Sequence, residues 1–536
     1  MINDSVLDET IIENEEWRWV FISGAILLVL LTIPFIWAYA VSGERTFVGV
    51  LVTPIDGVSY LAKMYQGRTG DWLFELPYTP EPHRGVFVYA FYLSLGKLAG
   101  LLNIDIAQIF HAARLVGGML LFVAIYRFVS RWTTDVGQRR LAWGLAVMGA
   151  GFGWLALIIR GDPVPLDILR LPEAFPFQAI FTNPHFPLSI AVALLVADVL
   201  LDVLFVHNDL RPQLGVRTAA LAGGAAFLML VSPFILLPVG LGFGLAVIWM
   251  GIQRREIPWR ELSWGSVVAI FALPFLIYNL WAISAANPVF AGWMAQNSTP
   301  SPPVWEYLIA FGPLLILAGI GLWRSRSALH YEDLVLIGWL LSTLILLYAP
   351  LGLQRRFAIG LTIPLAIYSA RAIRRVILPA VGRGLRPVLI TVIFLTFIPS
   401  SIIALILPMV GALCPEGERA YYLTPQETEA LAWMQQTVDE DAVVLASPDY
   451  SLFIPTVGRT VVYGHPFETL RAEPREQAVL DYYAGTDCSV FDDESVDYVV
   501  IGPREQHIIE ASTCLPESDA VYQTGSLMIY AVDDAP

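Results

Sequence analysis

Charge is scarce in this chain. Only 15% of its 536 residues are Asp, Glu, Lys or Arg, against about a quarter in soluble domains. With 56% hydrophobic residues and a mean hydropathy of +0.62, an ordinary soluble globular chain is excluded. Lysine is nearly missing: Lys63 and Lys97 stand alone. Positive charge therefore rests on arginine, which stays ionised when partly buried and grips phosphate bidentately, although GC-rich codon usage gives the same bias. Cysteine is limited to Cys414, Cys488 and Cys514, which excludes a disulfide-stapled scaffold and leaves room for one bridge, Cys488 to Cys514. A basic leader is also missing: Met1 to Trp17 is acidic, so no cleavable signal is expected. The net charge of −15 is concentrated, because residues 414–536 carry 23 Asp and Glu against 5 Arg and no Lys. The remainder is net basic, and nothing favours a nucleic-acid partner.

What is present is a series of apolar runs long enough to cross a bilayer. About eleven spans are expected near 19–41, 106–126, 141–159, 186–206, 217–232, 234–251, 264–283, 306–323, 333–350, 357–373 and 388–410. The pair at 217–251 is divided only by Ser232-Pro233, so one kinked helix is the alternative. Arginine clusters follow the even-numbered spans: Arg127, Arg131, Arg139 and Arg140; Arg211 and Arg217; Arg254, Arg255 and Arg260; Arg324 and Arg326; and Arg371, Arg374, Arg375, Arg383 and Arg386. All fall on one side if the N-terminus is cytoplasmic. The chain reads as a polytopic α-helical membrane protein of the plasma (inner) membrane with a small C-terminal α/β extracytoplasmic domain. Its parts are a cytoplasmic tail 1–18, a transmembrane domain 19–410 with a first exoplasmic loop 42–105, and an acidic soluble domain 411–536. In the last, Thr424-Pro425 with Glu427 opens a helix. The apolar runs 442–446, 460–463, 496–501 and 528–532, with a second helix near 475–483, argue an α/β layer.

Ionisable groups held against a membrane call for a functional hypothesis. The first loop carries Asp56, Asp71, Glu81, His83 and Arg84. Asp56, in Pro54-Ile55-Asp56-Gly57 with Tyr60 one turn on, suits a general base taking a proton from a hydroxyl acceptor; the compatible alternative is a helix N-cap. Glu81 and His83 could line an acceptor or hold a divalent ion, or mark a proline-fixed helix start. Arg355 and Arg356 break the positive-inside pattern, which points to an anionic ligand or to an ion pair with a carboxylate such as Asp56 or Asp71. Asn183 and His185 could bond sugar hydroxyls or form an interfacial turn. Arg114, one turn from His111, could position a loop carboxylate. His465, in Gly464-His465-Pro466-Phe467-Glu468-Thr469, lies in a loop after a strand, where sites gather. Asp198 and Asp202 could mark proton coupling or a solvated helix end.

An Asp shortly after the first span, a juxtamembrane helix, Gly70-Asp71-Trp72, and Thr79-Pro80-Glu81-Pro82-His83 together resemble the GT-C superfamily of integral-membrane glycosyltransferases. The branch is that of protein mannosyltransferases and the lipid A aminoarabinose transferase. Ala112-Ala113-Arg114-Leu115-Val116-Gly117-Gly118 and Ile125-Tyr126-Arg127 are similar to that family's second helix. The resemblance implies an inverting transfer of a hexosyl or pentosyl group from a polyprenyl-phosphate-linked donor to a protein, lipid or glycan acceptor. Asp56 is then the base, and Arg355 and Arg356 hold the leaving phosphate, with Tyr60, Asp71, Glu81, His83, Arg114, Asn183, His185 and His465 as substrate-binding candidates. It implies no required cofactor or metal. The family usually shows Asp-Glu where this chain has Asp56-Gly57. Two rivals stand beside it: a transporter or flippase working through Asp198 and Asp202, and a non-catalytic polyprenyl-lipid binder.

Overall fold

A computed structural model describes residues 11–160, 171–205, 214–327, 329–509, 513–514, 516 and 518–532. Residues 1–10 of the expected tail, part of the loop 160–185, and Arg211 lie outside the described residues. The chain forms two compact units: residues 1–32, 113–277 and 299–407 make the first, and residues 33–112, 278–298 and 408–536 the second.

Among the described residues, eight helices are long and apolar enough to cross a membrane, or up to ten if each of two bent pairs is one span. The pairs, Val136–Met148 with Gly153–Ile159 and Arg383–Phe397 with Pro399–Gly411, bend by 43° and 42°. Ten of the eleven expected regions thus fall on such helices. The exception is 333–350: its helix, Tyr331–Leu346, has 16 residues, a rise of about 24 Å against a hydrocarbon core of about 30 Å. At Ser232-Pro233 the chain makes two helices, Leu214–Val231 and Leu236–Arg254, joined by a tight turn at Pro233–Ile235. Proline has no N–H to continue the ladder.

Buried carboxylates of the first unit are matched by the arginines of the basic clusters. Glu16 accepts from Arg139 at 2.9 and 3.0 Å. Asp198 takes bonds from Arg127 and Arg131, and Asp202 from Arg131. Asp333 faces Arg371 at 3.3 Å. A buried charge survives only when paired and hydrogen-bonded, and the fork of arginine suits that task.

In the second unit, helices Pro54–Thr69 and Ala90–Leu102 pack almost backbone to backbone. A Cβ on Gly96 would lie 1.8 Å from the Met64 carbonyl oxygen, and one on Gly67 2.1 Å from that of Leu93. Strand β1 (Thr46–Phe47) pairs antiparallel with β2 (Tyr422–Leu423). The C-terminal residues build a five-stranded mixed sheet from β3 (Val443–Leu445), β4 (Thr460–Val461), β5 (Tyr498–Ile501), β6 (Tyr522–Thr524) and β7 (Leu527–Ala531), in the order β4-β3-β5-β7-β6. The β3–β4 and β3–β5 pairs are parallel; β5–β7 and β6–β7 are antiparallel. Alternation sorts the side chains. Val444, Val500 and Ile529 pack with Leu431 and Met434 of helix Pro425–Thr437 on one face. Leu445, Val499 and Ile501 pack with Val479 and Tyr483 of helix Ala472–Ala484 on the other. The Thr424/Glu427 capping box and the Cys488–Cys514 disulfide are both present, as the sequence predicts. Strand β6 was not expected; it is the short partner that closes a hairpin onto β7.

Gly96→Val should be one of the most damaging single changes in the first loop. Backbone cannot yield as a side chain does, so a loss of about 1–3 kcal/mol or more is expected, measured by thermal unfolding of the purified chain beside Gly240→Val, where nothing lies within 4 Å of the added Cβ.

Candidate active site

Pro54 occupies the first turn of helix Pro54–Thr69, where its missing N–H costs nothing and its fixed φ suits the helix. The N-cap is Thr53, so the alternative of Asp56 as the cap is corrected: Asp56 sits inside the first turn, near the positive end of the helix dipole. Ser59 and Lys63 follow at helical spacing, three and seven residues on, and share its face.

Opposite them within the same unit stands the loop 464–469, which holds itself by its own hydrogen bonds. Thr469 Oγ1 accepts from the N–H groups of Gly464 and His465 at 3.3 and 3.2 Å. The N–H groups of Phe467 and Glu468 each donate to His465 Nδ1 at 3.1 Å. With Nδ1 an acceptor, the ring proton belongs on Nε2. Nε2 is buried, makes no hydrogen bond among the described residues, and lies 4.0 Å from Asp56 Oδ1, whose side chain is 51% exposed.

Beneath this pair lies an ion pair closed to water. Lys63 Nζ donates to Glu468 Oε1 at 2.7 Å and to Ser59 Oγ at 2.9 Å, and Ser59 Oγ donates to the same Glu468 oxygen at 3.0 Å. The rings of Tyr89, Phe74 and Tyr60 surround the ammonium at 4.5, 5.1 and 5.3 Å, a favourable cation–π setting. Burial pulls the Lys63 ammonium below its usual range, and Glu468 opposes that fall. Burial alone would raise the Glu468 carboxyl, but the Lys63 ammonium holds it low. Burial also lowers the His465 imidazole, keeping the ring neutral.

The other candidates divide. Tyr60 stacks on Tyr92 at 4.2 Å and belongs to the cage. Asp71 is exposed beyond the helix end, fifteen residues from Asp56, or about 22 Å along the axis, so the helix keeps the two apart. Glu81 bonds both terminal nitrogens of Arg475 at 2.8 Å, with Glu494 on the same guanidinium at 2.6 Å. Burial would raise Glu81; Arg475 and Thr79 bring it below the usual range. No helix begins there, and the next is Ala90–Leu102. His83 is a clamp: its Nε2 accepts from the Leu76 N–H at 2.9 Å while Nδ1 meets the Glu81 carbonyl at 2.7 Å.

The remainder lie in the first unit. Arg114 is fully buried and donates to the Ile180 carbonyl at 3.4 Å. Asn183 and His185 are buried at 3% and 7% exposure, so their turn is interior. Asn183 Oδ1 and both amide atoms of Gln178 have no hydrogen-bond partner among the described residues. Arg355 Nε lies 3.7 Å from Glu173. Arg356 sits over the Phe234 ring at 5.4 Å, within electrostatic reach of His185, and its buried Nε makes no hydrogen bond among the described residues. Asp198 and Asp202 are locked by Arg127 and Arg131. Among the described residues no three His, Cys, Asp or Glu side chains are grouped to hold a metal.

Sequence reasoning missed Lys63, Ser59 and Glu468. The signal for Lys63 was its rarity together with its spacing from Asp56; Glu468 was visible only as a neighbour of His465.

No protein-family model matches the chain, and no curated protein sequence matches it. Solved structures do. The oligosaccharyltransferase AglB from Archaeoglobus fulgidus, in complex with an inhibitory peptide and a dolichol-phosphate, aligns over 91% of this chain and 70% of its own, with a TM-score of 0.53 and 16% identity. ArnT from Cupriavidus metallidurans aligns in the apo state over 97% of this chain and 98% of its own, at TM-score 0.51 and 15% identity. The same enzyme bound to undecaprenyl phosphate gives 96% and 98%, 0.52 and 14%. A structure of the Archaeoglobus enzyme was also solved with Zn and sulfate. AglB and ArnT are GT-C membrane glycosyltransferases. This chain has the GT-C fold, as its first loop and second span suggest.

Two outcomes are expected. His465 ionises in the unfolded chain near 6.5 and only at lower pH when folded, so unfolded chains bind more protons and stability falls as pH drops below about 6.5. His465→Gln should flatten that slope in thermal unfolding measured from pH 5 to 8. Lys63→Ala should cost about 3–5 kcal/mol by stranding Glu468, whereas Lys63→Met with Glu468→Gln should recover much of the loss, read from the same unfolding curves.

Proposed function

We propose that this chain is a glycosyltransferase that moves one hexosyl or pentosyl group from a polyprenyl-phosphate-linked donor to an acceptor at the outer membrane face, with inversion. The observation that carries the reading is Asp56, half-open on the first turn of its helix, faced by the N–H of a neutral buried His465, in a chain with the GT-C fold. Asp56 takes the acceptor's proton as the acceptor oxygen attacks the anomeric carbon; the bond from that carbon to the phosphate oxygen breaks, and the phosphate leaves with its electron pair. The His465 N–H, 4.0 Å from Asp56 Oδ1 and short of a hydrogen bond, orients the base electrostatically.

Arg355 and Arg356 are assigned to the departing phosphate, where two guanidiniums offset growing negative charge. The orphan Nε of Arg356 supports this, since a buried donor without a partner calls for an acceptor. Gln178 and Asn183 present amide groups of the kind that bond sugar hydroxyls. AglB with a dolichol-phosphate and ArnT with undecaprenyl phosphate support a lipid phosphate as donor. The route asks for no metal, because the phosphate is already a leaving group and arginine carries its charge. Counted over the eleven apolar runs of the sequence, the arginine clusters share one side, which supports a cytoplasmic N-terminus and an outer C-terminal domain.

Both rivals lose ground on particular residues. A transporter working through Asp198 and Asp202 needs carboxylates free to titrate, and both are clamped by arginine. A non-catalytic binder was suggested by Gly57, but a Cβ there would lie 2.2 Å from Val50 Cγ1. Packing demands the glycine and leaves Asp56 intact.

Asp56→Asn should lower sugar transfer by about 10²–10⁴-fold in a reconstituted assay with a polyprenyl-phosphate sugar, while binding of the bare lipid phosphate is kept. Arg356→Gln should weaken that binding. Full transfer by Asp56→Asn would sink the assignment.

A further inference from the structure

We propose a second phosphate-binding site, at the other end of the span that carries Arg355 and Arg356, for a phosphate borne on a hydrocarbon chain. Gln354–Ala380 is 27 residues long, about 40 Å by helical rise. Arg355 and Arg356 stand at its start; Arg371, Arg375, Val376, Pro379 and Ala380 at its far end line a cavity of about 750 Å³ within the first unit. The site therefore belongs to the opposite membrane face.

Its walls call for an anion. Arg324, Arg371 and Arg375 face it against two carboxylates, Glu332 and Asp333, with His330 beside them. Asp333 is already engaged: it takes bonds from Arg371 at 3.3 Å, from the Tyr368 hydroxyl at 3.2 Å and from the His330 N–H at 3.1 Å. Two side chains on the wall, Trp132 and Arg371, are 5% and 7% exposed, and their buried N–H groups, Trp132 Nε1 and Arg371 Nε, have no hydrogen-bond partner among the described residues. Neither can accept, so both await an acceptor. Phosphate oxygens supply several at once, and arginine suits them bidentately. Val376, Pro379 and Ala380 give the same cavity an apolar side, where Pro379 and Ala380 reach the surface. Cationic wall and apolar lip together match a lipid phosphate.

The test uses the full chain, delipidated in detergent, in an Arg355→Gln/Arg356→Gln background, so that the site assigned to the leaving phosphate does not contribute. Binding of dioctanoyl phosphatidic acid, of dioctanoylglycerol and of inorganic phosphate is read by native mass spectrometry and by the shift in unfolding midpoint. Phosphatidic acid should bind. Adding Arg324→Gln with Arg375→Gln, both exposed positions, should weaken it about tenfold or more at matched folded fraction, since Arg375 also donates to Gln138 at 3.2 Å, and Trp132→Phe should weaken it several-fold. Inorganic phosphate binding as tightly as the lipid would overturn the hydrocarbon half of the proposal. Equal binding by dioctanoylglycerol, or no effect of the arginine changes, would overturn the site itself. Neither result bears on sugar transfer.

Discussion

A lysine with no access to water holds the second unit's candidate site together. Lys63 reaches from the first-loop helix to Glu468, in a loop four hundred residues later, and its ammonium also attracts Asp56. Such a pair contributes little net stability over a well-packed apolar replacement, yet removing one partner is costly. What it fixes is geometry. Glu468 in place sets the loop 464–469, and that loop's hydrogen bonds to Nδ1 turn the His465 ring so that its N–H faces Asp56. The open carboxylate inherits its surroundings from an ion pair it does not touch.

The treatment of carboxylates sets Asp56 apart. Glu16, Asp198, Asp333 and Glu81 each have arginine at bonding distance; Glu468 has Lys63. Asp56 instead faces a neutral imidazole at 4.0 Å, with the Lys63 ammonium within electrostatic reach. A carboxylate clamped by guanidinium is a poor base, since protonation must break the pair. One faced by a neutral donor has no such pair to break. The arginines divide as well: several serve carboxylates, and Arg356 is among those whose buried Nε makes no hydrogen bond among the described residues.

Much of the fold was legible because it follows from periodicity and length. Apolar runs gave the spans, the Thr424/Glu427 box gave a helix start, and short β-branched runs gave four of the five sheet strands. The apolar run at 333–350 outlasts its helix, which ends at Leu346, because loop residues 347–350 are as apolar as the helix before them. Asp56 stood out as a charge where charge is rare, and His465 as a polar residue after a strand. Their partners were hidden for a different reason. Lys63 and Glu468 meet through tertiary packing across more than four hundred residues, and neither carries a local pattern that names the other. Glu81 and His83 looked chemical, and both also serve as clamps of their Pro-rich loop, one on the Arg475 guanidinium and the other on the Leu76 N–H.

The central claim is that His465 acts through Asp56, and a double-mutant cycle on the transfer rate tests it most directly. Asp56→Asn, His465→Gln and the double variant are compared with the unaltered chain at matched folded fraction. If the imidazole serves the carboxylate, the double variant should transfer no more slowly than Asp56→Asn alone. Losses that simply multiply would show two independent roles and contradict the account.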